Sequence, residues 1–512
     1  MAAAVNLDAL IPREDFAVQG SGDEAPVHQT IQVRDLEKAS FFFGAIRKPD
    51  FQRETSEWAP DRVVGLIRTF IEGELIPAVI LWKNRELLFV IDGSHRLSAL
   101  TAWVQDDYGD GDVSRTFFDN IIPDEQIKAA KSTRELVEKT IGSYANYKKA
   151  IENPENFGPD VVARSRRLGS LALQLQWVRG DAHKAEDSFV RINQQAAMIK
   201  PPELELIKSR KKPGAIAARA ILRRGTGHKY WSQFSAEIQA SIQEIASDIH
   251  QMMFEPNLSY PLKTLDLPAG GSVYSGTALR MVYDFVALSV GTTDPADDEQ
   301  GQRTLDYLTR TRRVMRLLLS NHASSMGLHP AIYYYSWTGK QQPILFLVVS
   351  ALLVQMERDK QLDAFTRVRA KFEEFLVSNR SLLNQVIRKF GTKDSGGKHL
   401  TGFYRFVLAE IERGSSAEGV ISALTAAREF SYVQPAESAY EGAPAAKFSS
   451  QVKSGVVLAQ LLPTALRCKI CGGYVPSQAI SIDHVDRRSA GGSSAASNAA
   501  VTHPYCNTTF KR

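Results

Sequence analysis

Cysteine is scarce in this chain of 512 residues, and its distribution is uneven. There are three, Cys468, Cys471 and Cys506, all within the last forty-five positions. An odd, clustered set behind an N-terminus without a basic-then-apolar signal pattern argues against a disulfide framework and points to a metal site. Long apolar runs are also missing. The longest, Ile344 to Val354 after Pro343, falls far short of the roughly 20 residues that span a bilayer, so a buried core helix is expected there. The expected location is therefore cytoplasmic, with no membrane partner. Net charge is low, +5, too mild to mark a nucleic-acid binder by itself, and there is no strong Pro or Gly bias and no internal repeat. The local balance differs. From Lys453 to the end, seven Lys/Arg face two Asp/Glu, as expected of a module that approaches phosphates.

The length predicts two to four domains. The expected fold class is α+β, mainly α-helical. The first 40 residues are polar, with a Gly-Ser-Gly-Asp-Glu patch at Gly20 to Glu24, and read as an arm. Residues 41–212 read as a small α/β domain. Its strands are expected at Ala78 to Trp82 and Leu87 to Ile91, joined by a turn at Lys83 to Glu86, with helices over Asp61 to Glu72 and Ser94 to Val104. Residues 213–430 read as a helical domain. Expected helices are Ser232 to Met253, Thr277 to Val290, Arg303 to Asn321, Leu345 to Ser378 with a break near Arg358 to Leu362, and Thr401 to Glu412. The basic run Arg310, Arg312, Arg313 and Arg316 could face a nucleic acid, although a solvated helix face is the commoner reason for such a run. Residues 431–450 shift to Ala, Ser, Pro, Gly and Glu and read as a linker, leaving 451–512 as a last, small module.

That module carries Cys468-x-x-Cys471, Asp483-His484, Gly491-Gly492, Asn498 and His503-x-x-Cys506-Asn507. Two knuckles, each with ligands three apart, can close a tetrahedral Zn²⁺ site from Cys468, Cys471, His503 and Cys506. Four protein ligands leave no open position, so this zinc is expected to be structural, holding a module too small for its own core. The order of the remaining residues resembles the HNH, or ββα-metal, endonuclease family. The resemblance implies His484 as general base and Asn498 as the brace of the loop between two strands. It also implies Asp483 and Asn507 as ligands of a second, catalytic Mg²⁺ or Mn²⁺, and a tight loop at Gly491-Gly492. Arg487 and Arg488 are placed to meet DNA phosphates. His503 stands where the four-cysteine version of the family has Cys, and Asn507 where many members have His. The alternative is a zinc ribbon that binds without cutting.

A second constellation lies upstream: Phe51-Gln52-Arg53 with Trp58, then Asp92-Gly93-Ser94-His95-Arg96 at a strand-to-helix junction, then Arg191-Ile192-Asn193 before Glu203. A strand that ends in Asp-Gly and turns into a helix favours anions at the helix start. Asp92 could hold a metal or orient a water, with His95 and Arg96 on phosphate oxygens; the plainer reading makes Asp92 a helix cap and Arg96 an ion-pair partner. The ensemble resembles the ParB-like N-terminal domain of GmrSD-type, modification-dependent restriction enzymes over roughly residues 40 to 210. That resemblance implies a nucleotide- or DNA-feature site at Gln52, Arg53, Asp92, Gly93, Ser94, His95, Arg96 and Asn193. GTP or ATP would be the ligand, with Asp92 and Arg96 as catalytic residues if the nucleotide is hydrolysed. Ser94 departs from the family's Gln. Trp58 and Trp103 could stack bases, but core tryptophans are the better reading. The expected molecule is a DNA endonuclease acting on foreign, modified or unmodified DNA, gated by its N-terminal domain. A non-cutting DNA-binding regulator and an NTP-hydrolysing switch are the alternatives, and a homo-oligomer is left open.

Overall fold

The computed structural model describes residues 5–14, 16, 28–49, 52, 58–122, 124–196, 205, 206, 208–273, 277–291, 296–392, 394–434 and 448–511. The chain falls into two compact units. One holds Met1–Gln239 with two short returns between 274 and 300, and the other holds the rest through Arg512.

The first unit is built on a mixed sheet of six strands. They are β1 (Arg13–Glu14), β2 (Thr30–Ile31), β3 (Ile46–Pro49), β4 (Val79–Asn84), β5 (Leu87–Asp92) and β6 (Leu173–Val178), in the order β1-β3-β5-β4-β6-β2. β4 and β5 form an antiparallel hairpin, and each has a parallel neighbour, β6 and β3 respectively. Both central strands read as near-continuous apolar runs because both faces are covered. Val79, Leu81 and Val90 pack under helices α1 (Pro60–Glu72) and α2 (Ser94–Gln105), whereas Trp82, Phe89 and Ile91 pack with Phe16, Ala185 and Phe189 beneath α3 (Ala182–Ala196). Pro60 opens α1, where its missing N–H costs nothing. Part of the polar lead-in is built into this sheet: β1 and β2 form its two edges, and Val5, Leu7, Leu10 and Ile11 are buried in its core. The Gly20 to Glu24 patch lies outside the described residues.

The second unit is mainly helical. The apolar run after Pro343 forms α4 (Pro343–Arg358), with Leu345, Phe346, Val349 and Leu353 buried as a core helix requires. Lys360, with φ +55°, interrupts the pattern, and α5 (Leu362–Ser378) follows. The helix expected from Ser232 starts at Ala236 instead, since the Ser235 hydroxyl accepts from Ile238 N–H and caps it. Arg310, Arg312, Arg313 and Arg316 pair with Asp306, Asp248, Glu357 and Asp248, the arrangement of a solvated helix face. Most of the expected linker, 435–447, lies outside the described residues. After helix Ser450–Leu461 come β7 (Ser481–His484) and β8 (Ala499–Thr502), an antiparallel pair, and a short π-helical turn, Cys506–Phe510. Among the described residues no helix is long and apolar enough to cross a membrane.

Candidate metal centre and flanking site

Two tight turns bring the four expected zinc ligands together. Gly472 N–H donates to Cys468 O, and Cys468 N–H to Gly473 O, closing the first knuckle; the second sits where β8 runs into the π-helical turn. The ligand atoms of Cys468, Cys471, His503 and Cys506 all lie within 4.8 Å of one another. His503 Nδ1 is 3.4 Å from Cys471 Sγ and 3.8 Å from Cys506 Sγ. A tetrahedral Zn²⁺ would place sulfur and nitrogen ligands about 3.6 Å apart, so the group fits such an ion. The other ring nitrogen, Nε2, lies 2.9 Å from Tyr474 O. That bond assigns the proton to Nε2 and turns the Nδ1 lone pair to the thiols. Burial, then the charge of Arg369, lowers the imidazole pKa and keeps the ring neutral. Hydrogen bonds from Cys471 and Cys506 hold the Cys468 thiol well below its ordinary value, and the same bonds push the Cys471 and Cys506 thiols up, so without an ion the three share one thiolate.

This centre is backed by a buried ion pair from α5. Arg369 and Glu373, both fully buried, meet through Nε and Oε1 at 2.7 Å. Arg369 also donates to the carbonyls of Met326 and Gly327, while Glu373 accepts from Tyr333 OH at 2.8 Å and from Tyr474 N–H at 2.6 Å. Every strong partner is thus satisfied, the condition under which a buried pair holds together. The knuckle passes so close that a Cβ on Gly473 would sit 2.8 Å from Arg369 Nε. Further bonds tie the module to its unit: Tyr505 N–H to Ser325 O, Tyr505 OH to Asp363, and Thr508 Oγ1 to Ala323 O.

The remaining C-terminal residues lie along the β7–β8 pair, with Asp483, His484 and Asn498 at one end and Asn507 bonded toward the other. Asp483 and His484 face Ala500 and Ala499 across the ladder and are both half-buried. Asn498, buried, receives Asp486 N–H at 2.7 Å on Oδ1 and donates through Nδ2 to Asp486 O and Ser493 O. It therefore clamps the loop that follows His484. Gly492 N–H closes the same loop on Arg487 O. Asn507 donates through Nδ2 to Ser481 Oγ at 2.8 Å and to Ile482 O, which leaves Oδ1 as the atom it can offer a cation. Arg487 is exposed and donates to Lys511 O; the side chain of Arg488 lies outside the described residues. Lys511, which the motif reading did not single out, sets Nζ 2.5 Å from Asp483 Oδ2 and 2.8 Å from His484 O. The signal for it was a basic residue one helical turn beyond Asn507.

In the first unit, Asp92 ends β5 and Gly93, at φ +97°, caps α2 with no side-chain capping bond. A side chain at Gly93 would be strained there and would press on Val79 at 3.0 Å. Asp92 is therefore not the helix cap. Its Oδ2 lies 2.7 Å from Arg96 Nη2, which also donates to Ala78 O. Ser94 is buried and the His95 ring lies edge-on to Trp58, 6.2 Å away. Gln52 reaches this junction, donating to Val90 O at 2.5 Å and Ile91 O at 3.2 Å. Arg13, in turn, donates to Gln52 O and pairs with buried Asp8, which also meets Lys48 and Arg223. Burial alone would raise the Asp8 pKa, but these cations outweigh it and hold the carboxyl well below the usual range. The Asp8 network carried no motif signal. Trp103 is a core residue, bonded to Gly142 O. Phe51, Arg53, Glu203 and the side chain of Asn193 lie outside the described residues.

Residues 33–210 match the family model described as GmrSD restriction endonuclease, N-terminal domain. This segment, which contains the Asp92–Arg96 junction, is thus similar to a domain of restriction endonucleases, whose substrate is DNA. No curated protein and no solved structure matches the chain.

Proposed function

We propose that the protein is an HNH-type DNA endonuclease that serves as a restriction effector, with a first unit that senses a nucleotide or a DNA feature. The observation that carries this reading is the placement of four residues around one strand: Asp483 and His484 end β7, Asn498 clamps the loop that follows them, and Asn507 bonds to the start of the same strand beside the Cys₃His group. A ribbon that only binds has no need of these four residues at these places.

Cys468, Cys471, His503 and Cys506 would hold Zn²⁺ as a closed, structural site. Asp483 and Asn507 would hold Mg²⁺ or Mn²⁺, which when bound neutralises charge on the phosphate and its leaving oxygen. That donor set suits a cation, since Asp483 already holds an ammonium group. His484 takes the proton from the attacking water as general base. Asn498 acts through His484 by fixing the loop behind it, and Arg487 and Arg488 meet backbone phosphates. In the first unit, which we assign to a ParB-like fold, Gln52 and Asp92 to Arg96 form the sensing site for GTP, ATP or a modified base. The Asp92–Arg96 ion pair is the element that a bound phosphate would rearrange.

The test is cleavage of modified and unmodified DNA by zinc-loaded protein with Mg²⁺ or Mn²⁺, with and without GTP or ATP, beside His484→Ala and Asp92→Ala. Cutting that needs His484 and changes with Asp92 supports the reading. Absence of cutting under every condition refutes it.

A further inference from the structure

The Asp483 carboxylate is engaged by a cation belonging to the chain itself. Lys511 Nζ sits 2.5 Å from Asp483 Oδ2 and 2.8 Å from His484 O, in a niche where the two side chains are only 25% and 14% exposed. The lysine is held there by its backbone. Its N–H donates to Cys506 O at 3.1 Å, so its position depends on the ligand knuckle, and its carbonyl accepts from Arg487 Nη2 at 2.8 Å. A carboxylate and a strand-end carbonyl are hard oxygen donors, the kind that Mg²⁺ and Mn²⁺ take. Asn507 projects from the same turn.

We infer that the Lys511 ammonium is the resident cation of the Asp483 site and that a divalent ion enters only by displacing it. The inference rests on Asp483 as a cation ligand, as in the reading above. Two cations sharing one carboxylate within about 4 Å repel each other, and the half-buried setting strengthens that repulsion relative to water. Occupation is therefore an exchange. Lys511 sets the divalent concentration that the site requires, and the site without divalent ion stays charge-balanced rather than carrying a bare carboxylate beside DNA phosphates.

The direct test measures Mn²⁺ binding to the zinc-loaded full chain without DNA, from the loss of the free Mn²⁺ paramagnetic resonance signal. Lys511→Met is expected to bind Mn²⁺ about tenfold more tightly than the parent, the size of one charge-assisted hydrogen bond removed from the competing state. Lys511→Arg is expected to stay near the parent, and Asp483→Asn to lose the site. Equal or weaker binding by Lys511→Met, with zinc content unchanged, overturns the inference. The unaltered protein supplies a second measurement. Reductive methylation of Lys511, followed by mass spectrometry, is expected to accelerate as Mn²⁺ is added, and a rate indifferent to saturating Mn²⁺ contradicts the exchange. DNA cleavage is scored separately. Mn²⁺ binding with the expected Lys511 dependence but no cleavage by any variant supports the exchange and sinks the nuclease reading.

Discussion

Glu373 accepts the backbone N–H of Tyr474 at 2.6 Å, and through that bond the buried face of α5 becomes part of the ligand knuckle. Tyr474 carries the same relationship to the metal site, since its carbonyl takes the Nε2 proton of His503. Helix, knuckle and ligand are thus linked by two bonds. Metal loading and packing of α5 are therefore expected to be coupled.

Arg369→Met would leave the Glu373 carboxylate buried without its cation. The expected cost is about 3–5 kcal/mol, the range for breaking one side of a buried pair. Replacing both partners by apolar residues of similar volume is expected to cost less than the sum of the single changes. Denaturant unfolding of the two single variants and the double variant measures this, and strict additivity would count against the coupling.

Removing one ligand, as in Cys506→Ser, should lower bound zinc below one equivalent and loosen the segment joined to it. Limited proteolysis is expected to nick 462–511 first and then the 323–327 loop, which the knuckle region contacts through Ser325 and Ala323. Chelation of the unaltered protein should reproduce the pattern. Unchanged protease resistance after zinc loss would separate the metal from the fold.

His329, fully buried against Tyr474, has its pKa pushed down from 6.5 to about 4, chiefly by burial. The folded state then binds fewer protons than the unfolded state between pH 4 and pH 6.5, so stability falls as pH drops through that window. The loss amounts to about 3 kcal/mol at most. His329→Gln cannot titrate. The stability difference between parent and variant should shift against the parent by that order between pH 7 and pH 4. A difference independent of pH would mean that the ring is not held neutral.

Asp92→Ala breaks a partly exposed ion pair, so its effect on stability should stay within about 1 kcal/mol. If the junction is a phosphate site, Asp92→Ala, which frees the guanidinium, should keep GTP or ATP binding, and Arg96→Ala should abolish any such binding seen by calorimetry. Intact nucleotide binding by Arg96→Ala would move that site elsewhere.

The hairpin β4–β5, helices α1 and α2 and the break before α5 were legible in the sequence because each rests on apolar periodicity or a turn residue. The Cys₃His group was legible because so few residue types bind zinc and their spacing is short-range. The Arg369–Glu373 pair was not, since a charged i,i+4 pair in Phe365 to Phe375 has the pattern of a solvated helix face, and burial depends on what the knuckle lays over it. The edge strands Arg13–Glu14 and Thr30–Ile31 are two residues long, too short for any alternation to register. Lys511 read as one more phosphate-seeking basic residue, because its contact with Asp483 is made across 28 positions by the fold alone.

The decisive experiment is the single-turnover rate of DNA cleavage by zinc-loaded parent and His484→Ala proteins in saturating Mn²⁺. The variant is expected to keep its zinc and its melting temperature while losing at least about 100-fold in rate, as befits removal of a general base. Cleavage by His484→Ala at the parental rate would contradict that role, as would a parent protein that cuts no DNA.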